Sequence, residues 1–388
     1  MEALKRSGCL ILVGFMPQEL NDCVQELLDR LVASGEEIGL QVAAYVDGEL
    51  VVDAWAGVTD EASRHAIDGN TLFTSWSTTK GFVATCLHIL VDRGLVDYDT
   101  TVAMYWPEFS VSNKDKITVR HVLTHSAGIP HMPEGVTPEM MTDWDAMCSA
   151  IAKQELLWTP GEKTGYHFWV FGWIIGEIIR RVDGRPIAQF VQEEVCQPLG
   201  IEGFYLGIPD DVEHRVAPLR EEHRPAEGAS ETDDLLQRVE PPRVTCAEVI
   251  NRPDIRRASI PACGGIMTAR AIARHYAMLA GHGELDGTRI LSAARVDVIR
   301  ALQTDDLDEV YGARIRRGLG YFLGGDVNLN WSMAMGRIGR EFGHPGWGGS
   351  IGFADPEERL SFGLTKNLMK GDHNTALVVA EEIRKHLQ

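Results

Sequence analysis

Residues 75–94 read SWSTTKGFVATCLHILVDRG, and the periodicity of this stretch predicts a buried helix that opens on a serine. Phe82, Val83, Cys86, Leu87, Leu90 and Val91 recur at helical spacing, and Gly94 is placed to end the run because glycine takes the left-handed conformation at no steric cost. Ser77 falls at the positive end of that helix. Lys80 lies one turn on and shares its face, since residues three apart are neighbours on a helix surface. An amine beside a hydroxyl at a helix N-terminus suits nucleophilic catalysis: the amine can take the hydroxyl proton, and the helix end favours negative charge nearby. This is the only Ser-x-x-Lys in the chain. Taken alone, it fits a capping serine and a solvated first-turn lysine at least as well.

On the N-terminal side, residues 19–33 place Leu20, Val24, Leu27, Leu28 and Leu31 on one helical stripe. Two apolar runs follow, GLQVAAYV and ELVVDAWAGV, joined by Asp47-Gly48. That dipeptide is a strong hairpin signal because both turn residues must take positive φ. The far end mirrors the near one. GSIGFAD and RLSFGLTK are strand-like runs separated by Pro356-Glu357-Glu358, and a last helix aligns Ala376, Val379, Ala380, Ile383 and Leu387. The expected fold class is therefore α/β (α+β): one antiparallel sheet built from both chain ends and flanked by helices, with an inserted, mostly helical lobe. We expect residues 1–95 and 260–388 to form the sheet domain and 96–259 the helical one. Within the latter, residues 209–258 are acidic, proline-containing and poor in apolar periodicity. They read as a long excursion or lid, or equally as a solvated loop without a role.

The composition narrows the partners. With 388 residues, 37 basic and 56 acidic, the chain carries a formal net charge of −19, which argues against a nucleic-acid partner. Apolar content of 44% and charged content of 24% are ordinary for a soluble enzyme. Seven scattered cysteines (Cys9, Cys23, Cys86, Cys148, Cys196, Cys246 and Cys263) form no Cys-x-x-Cys pair and read as reduced thiols. Lys5 and Arg6 precede a short apolar run at residues 9–16 that faintly resembles a signal peptide, without a small-x-small cleavage site after it. No stretch approaches the ~18 apolar residues of a membrane span. A cytoplasmic protein is expected, with no Gly-x-Gly-x-x-Gly or Walker sequence and hence no nucleotide cofactor implied.

Further blocks give the Ser-x-x-Lys its context. In chain order they are VLTHSAGIP (122–130), TPGEKTGYHFWVFGWIIGEIIRRVDG (159–184), ACGGIMTARAIARHYAML (262–279) and GHPGWGGSIGFADPE (343–357). With Ser77-x-x-Lys80 they resemble, in the same order, the five motifs of the serine β-lactamase, D-Ala-D-Ala peptidase and family VIII carboxylesterase group, over roughly residues 38–386. The motif style is most similar to the carboxylesterases.

The resemblance implies roles. Ser77 would attack the acyl carbon, Lys80 would accept or relay the proton, and Tyr166, flanked by cations, would share that duty through a lowered phenol pKa. Which of the pair is the formal base stays open. His344 would stand where the penicillin-binding enzymes carry the lysine of Lys-Thr-Gly. The backbone N–H groups of Ser77 and Trp347 would form the oxyanion hole. Substrate contacts would come from Trp76, His167, Phe168, Gly346, Trp347 and Gly348. Two departures from the family pattern stand out. Phe168 replaces the motif asparagine, and His344-Pro345 replaces Lys-Thr, both weakening the case for a β-lactam.

Two other patterns compete. Gly348-Gly349-Ser350-Ile351-Gly352 fits the Gly-x-Ser-x-Gly elbow, but the flanking sequence lacks the strand-then-helix order that elbow needs, and Asp372-His373 is a poor candidate for the remaining triad. His121, His125 and His131 lack a carboxylate pattern for a metal, and core or loop roles explain them more simply. The expected function is a carboxylesterase acting on small or medium acyl esters through an acyl-Ser77 intermediate, without metal or cofactor. Its partner would be a small-molecule ester or amide. The alternatives are a β-lactamase or D-amino-acid peptidase, an acyltransferase to an alcohol or amine, and a catalytically silent ligand-binding homologue. Oligomeric state is not legible.

Overall fold

A computed structural model describes residues 17–222 and 234–387. The signal-like run at 9–16 and residues 223–233 of the acidic excursion lie outside the described residues. The central sheet is antiparallel and draws on both chain ends. In chain order its strands are β1 (Gly39–Val46), β2 (Glu49–Gly57), β3 (Phe322–Leu323), β4 (Phe342–Pro345), β5 (Ile351–Asp355) and β6 (Leu360–Lys366), and their order across the sheet is β3-β4-β5-β6-β1-β2. The ends of the chain meet where β1 pairs with β6, in register from Leu40 against Lys366 to Val46 against Leu360. Asp47 and Gly48 make the β1–β2 turn with φ of 52° and 84°, the doubly positive geometry that their sequence announces.

Five long helices matter here: α1 (Pro17–Ala33), α2 (Thr79–Asp92), α3 (Val170–Asp183), α4 (Ala269–Ala280) and α5 (Asn374–Leu387). Helix α4 covers one face of the sheet. It approaches so closely that a Cβ on Gly352 would lie within 2.3 Å of the Tyr276 ring. The neighbouring residue in β5, Phe353, points to the other face because strand side chains alternate, and there Arg384 of α5 stacks over its ring at 5.1 Å. The sheet thus lies between α4 and the α5 layer, against which α1 packs. Leu20, Val24, Leu27, Leu28 and Leu31 of α1 are all buried, as their spacing requires.

Between the sheet-forming ends, the described chain is mostly helical, and most of its buried apolar side chains join the sheet's in one hydrophobic core, with two small clusters beside it. Helix α2 is buried on every side from Thr79 to Val91, which explains the near-absence of a polar face in its sequence. The described part of the excursion departs from expectation. Four short helices, Asp234–Val239, Pro242–Thr245, Ala247–Ile250 and Pro253–Arg257, place Val239, Val244, Ile250 and Ile255 in the core. Helices of four to six residues complete little more than one turn, so no periodicity could announce them. Among the described residues, no helix is long and apolar enough to cross a membrane.

Candidate active site

A strand, a tight turn and a helix present the serine. Strand Leu72–Thr74 pairs with Gly265–Met267, and the Ser75 N–H continues that contact to the Gly265 carbonyl at 2.9 Å. The chain then reverses at Trp76, whose φ of +49° is uncommon for a bulky side chain and marks a conformation held by its surroundings. Trp76–Thr78 form a 3-10 turn that runs directly into α2. Ser77 is thereby fixed at the helix start, buried at 5% exposure.

Lys80 is fully buried one turn along, and its Nζ donates to Ser77 Oγ at 2.9 Å. Its other close partners are the Phe168 carbonyl at 2.6 Å, the Ala262 carbonyl at 3.2 Å and Cys263 Sγ at 3.8 Å. These partners are all uncharged, so little compensates the ammonium for lost water. Burial pulls the Lys80 pKa down to about 8, against a smaller opposing pull from Cys263 and Glu240. A sizeable fraction of the amine is therefore neutral near physiological pH.

The tyrosine reaches the same place from the loop before α3. Tyr166 is buried, with its ring centroid 5.0 Å from Lys80 Nζ, and its hydroxyl lies 3.3 Å from His344 Nε2. The His344 Nδ1–H donates to the Pro345 carbonyl at 2.8 Å, which leaves Nε2 as the acceptor for the phenol proton. The sequence-based expectation of a lowered phenol pKa is corrected here. Burial pushes the Tyr166 pKa well above its ordinary value, with the neighbouring Ser77 hydroxyl opposing only in part. Nor do several cations flank it closely: His344 is held neutral, its pKa driven well below the usual range by burial and by Lys80.

Ser77, Tyr166, Phe168, Gly346, Trp347 and Gly348 line one cleft of about 320 Å³. Gly346 follows β4 so near the nucleophile turn that a Cβ there would come within 2.4 Å of the Ser75 carbonyl oxygen. Trp347 follows in a 3-10 turn, half-exposed at the cleft wall. Two expected substrate contacts lie elsewhere. Trp76 is buried edge-on against Trp169 at 5.9 Å, because the positive φ that turns the serine towards the cleft turns its neighbour into the core. His167 is fully buried, donating from Nδ1 to the Gly165 carbonyl at 2.7 Å while Nε2 accepts from the Ile129 N–H at 3.4 Å. It organises the loop beside Tyr166, and does not line the cleft. His121 and His125 also do local work: one completes a capping box with Thr118, and the other accepts the His167 N–H at 3.1 Å.

Residues not expected beforehand to contact substrate complete the cleft, among them Tyr311, Trp331, Lys370 and His373. Tyr311 and Trp331 sit in segments without helical or strand periodicity, so nothing local marked them. Cys263, whose Sγ lies 3.6 Å from Ser77 Oγ, belongs to the ACGG block, yet the sequence marked it only as one of the scattered thiols.

The beta-lactamase family model matches residues 24–384. The chain belongs to that family. It is similar to Esterase/beta-lactamase LipL of Mycobacterium tuberculosis, with 33% identity over 344 residues, 85% of this chain and 77% of that protein. Among solved structures it resembles a family VIII carboxylesterase (TM-score 0.86, 34% identity, 95% of this chain and 97% of that one). A penicillin-binding protein homolog from Caulobacter crescentus is nearly as similar (TM-score 0.83, 33% identity, 95% and 98% covered). The fold is that of the β-lactamases and transpeptidases, and the chain is a serine hydrolase of the beta-lactamase family.

Proposed function

We propose that this family member is a carboxylesterase working through an acyl ester on Ser77. The observation that carries this reading is Lys80: a buried amine with a pKa of about 8, hydrogen-bonded to the serine and held by uncharged partners. Neutral Lys80 takes the Ser77 proton as Oγ bonds to the acyl carbon, and the charge that develops on the carbonyl oxygen is met by the N–H groups of Ser77 and Trp347. Collapse of this intermediate breaks the bond to the alcohol. Tyr166, kept protonated by burial, gives its proton to the departing oxygen and recovers one from the Lys80 ammonium. Water then attacks the acyl carbon as neutral Lys80 takes its proton, and the ester bond to Ser77 breaks as that proton passes from the Lys80 ammonium to Ser77 Oγ. The base at rest is the amine, and the phenol is the acid.

Two features favour an ester over a β-lactam. Phe168 lines the cleft in the motif position where the family has an amide-binding asparagine, and His344 offers a neutral imidazole where a cation would meet the lactam carboxylate. Lys370 does bring a cation to the cleft by another route, so β-lactam hydrolysis is the second reading to test. The experiment is peptide mass spectrometry after brief exposure to a p-nitrophenyl ester, a phosphonate and a β-lactam in parallel. Adducts on Ser77 with ester but not β-lactam turnover support the esterase reading. An adduct on Ser350, or none on Ser77, contradicts the mechanism.

A further inference from the structure

Among the described residues, only two aromatic side chains are more than about a third exposed, Tyr311 at 43% and Trp347 at 42%, and both line the cleft that holds Ser77. Large rings left in water at one concave spot mark a contact surface, because elsewhere the fold buries such rings at least in part. Tyr311 is also held in place. Its ring stacks on Tyr166 at 5.4 Å and 28°, and tilts against Phe168 at 5.7 Å.

The loop that delivers it is tied down at several points. The Asp308 carboxylate, fully buried, accepts the N–H groups of Val310 at 2.9 Å and Tyr311 at 2.8 Å, and it pairs with buried Arg317 at 2.5 Å. The Glu309 N–H donates to the Thr164 carbonyl at 2.8 Å, and Thr164 Oγ1 donates to the Leu307 carbonyl at 3.2 Å. The loop is thus fastened to the segment that carries Tyr166. A ring fixed before binding loses little conformational freedom when a ligand stacks on it.

We propose that Tyr311 is a specificity-determining residue that makes this cleft selective for esters of flat, aromatic alcohols. The inference rests on the Ser77 esterase reading, in which Tyr166 protonates the departing alcohol oxygen. A ring stacked on Tyr166 then walls the alcohol side of the scissile bond, with Trp347 lining the same space. Benzyl-type alcohols fit: they are planar, uncharged, and of a size for a cleft of about 320 Å³.

Benzyl butyrate and ethyl butyrate share an acyl group and have comparably poor leaving alcohols, so the ratio of their kcat/KM values reads recognition of the alcohol. The wild-type protein should prefer the benzyl ester. Tyr311→Leu should lower the benzyl-to-ethyl ratio of kcat/KM roughly tenfold, whatever it does to the common rate, and Tyr311→Phe should keep the wild-type ratio. A wild-type protein without benzyl preference, or a Tyr311→Leu variant with an unchanged ratio, overturns the proposal. A second measurement needs no variant. Benzyl alcohol should inhibit the wild type more tightly than cyclohexylmethanol, although the latter is more hydrophobic and simple apolar burial predicts the reverse order. The reverse order, or equality, overturns the proposal too. Stoichiometric phosphonate labelling separates the two readings. An unlabelled Ser77 in the wild type sinks the esterase mechanism itself, whereas labelled protein without aromatic selectivity sinks only the role of Tyr311.

Discussion

Ser77 and Ser350 stand on either side of one turn, both buried at 5% and 2% exposure, yet their hydroxyls meet different partners. Ser77 Oγ faces an amine at 2.9 Å whose pKa burial has lowered. Ser350 Oγ donates to the Ser75 carbonyl at 2.9 Å and accepts from Thr78 Oγ1 at 3.4 Å. Its proton is committed to a backbone oxygen, and the nearby His373 imidazole bonds the Gly346 carbonyl at 3.1 Å. The serine in the Gly-x-Ser-x-Gly pattern therefore braces the nucleophile turn. A second contrast makes the same point for lysines. Lys366 is nearly as buried as Lys80, but it sits against the Glu37 carboxylate, which Thr375 also bonds. An ammonium paired with a carboxylate is structural; one with uncharged partners is free to titrate.

Several measurements break or sharpen this contrast. Ser77→Ala should cost at least about 10⁴-fold in kcat/KM and abolish the phosphonate adduct, as loss of a nucleophile does elsewhere. Lys80→Met should lower the rate about 10³-fold while circular dichroism stays native, the range expected for removing a general base. Tyr166→Phe should cost about 10²-fold with alkyl esters, but far less with p-nitrophenyl esters, whose leaving group needs no proton. A uniform loss across both would mean that the phenol is not the acid.

The pH profile follows from the amine. Only neutral Lys80 is competent, so kcat/KM should climb with pH, about tenfold per unit, until it levels near the amine's pKa of about 8. The buried imidazoles of His125, His167 and His344 all have lowered pKa values, so none should add a limb between pH 6 and 7. The smallest effect belongs to the other serine. Ser350→Ala should leave activity within roughly threefold and cost about 1 kcal/mol of unfolding free energy, the usual worth of one hydrogen bond, read by urea denaturation.

What the chain alone revealed was whatever depends on near neighbours or on ordered motifs. Ser77 and Lys80 are three residues apart on one helix, so their approach needed no knowledge of the rest of the fold. Asp47-Gly48 and the stripe on α1 were legible for the same reason. Tertiary structure decided everything that depends on what lies across the gap. It turned Trp76 into the core and sealed His167 under the loop, because burial is set by elements distant in sequence. It raised the Tyr166 pKa where neighbouring cations had suggested the opposite, since desolvation outweighs the few charges within reach. And it brought Tyr311 to the cleft from 145 positions beyond Tyr166, a placement that no local pattern encodes because an irregular loop is positioned by its anchors.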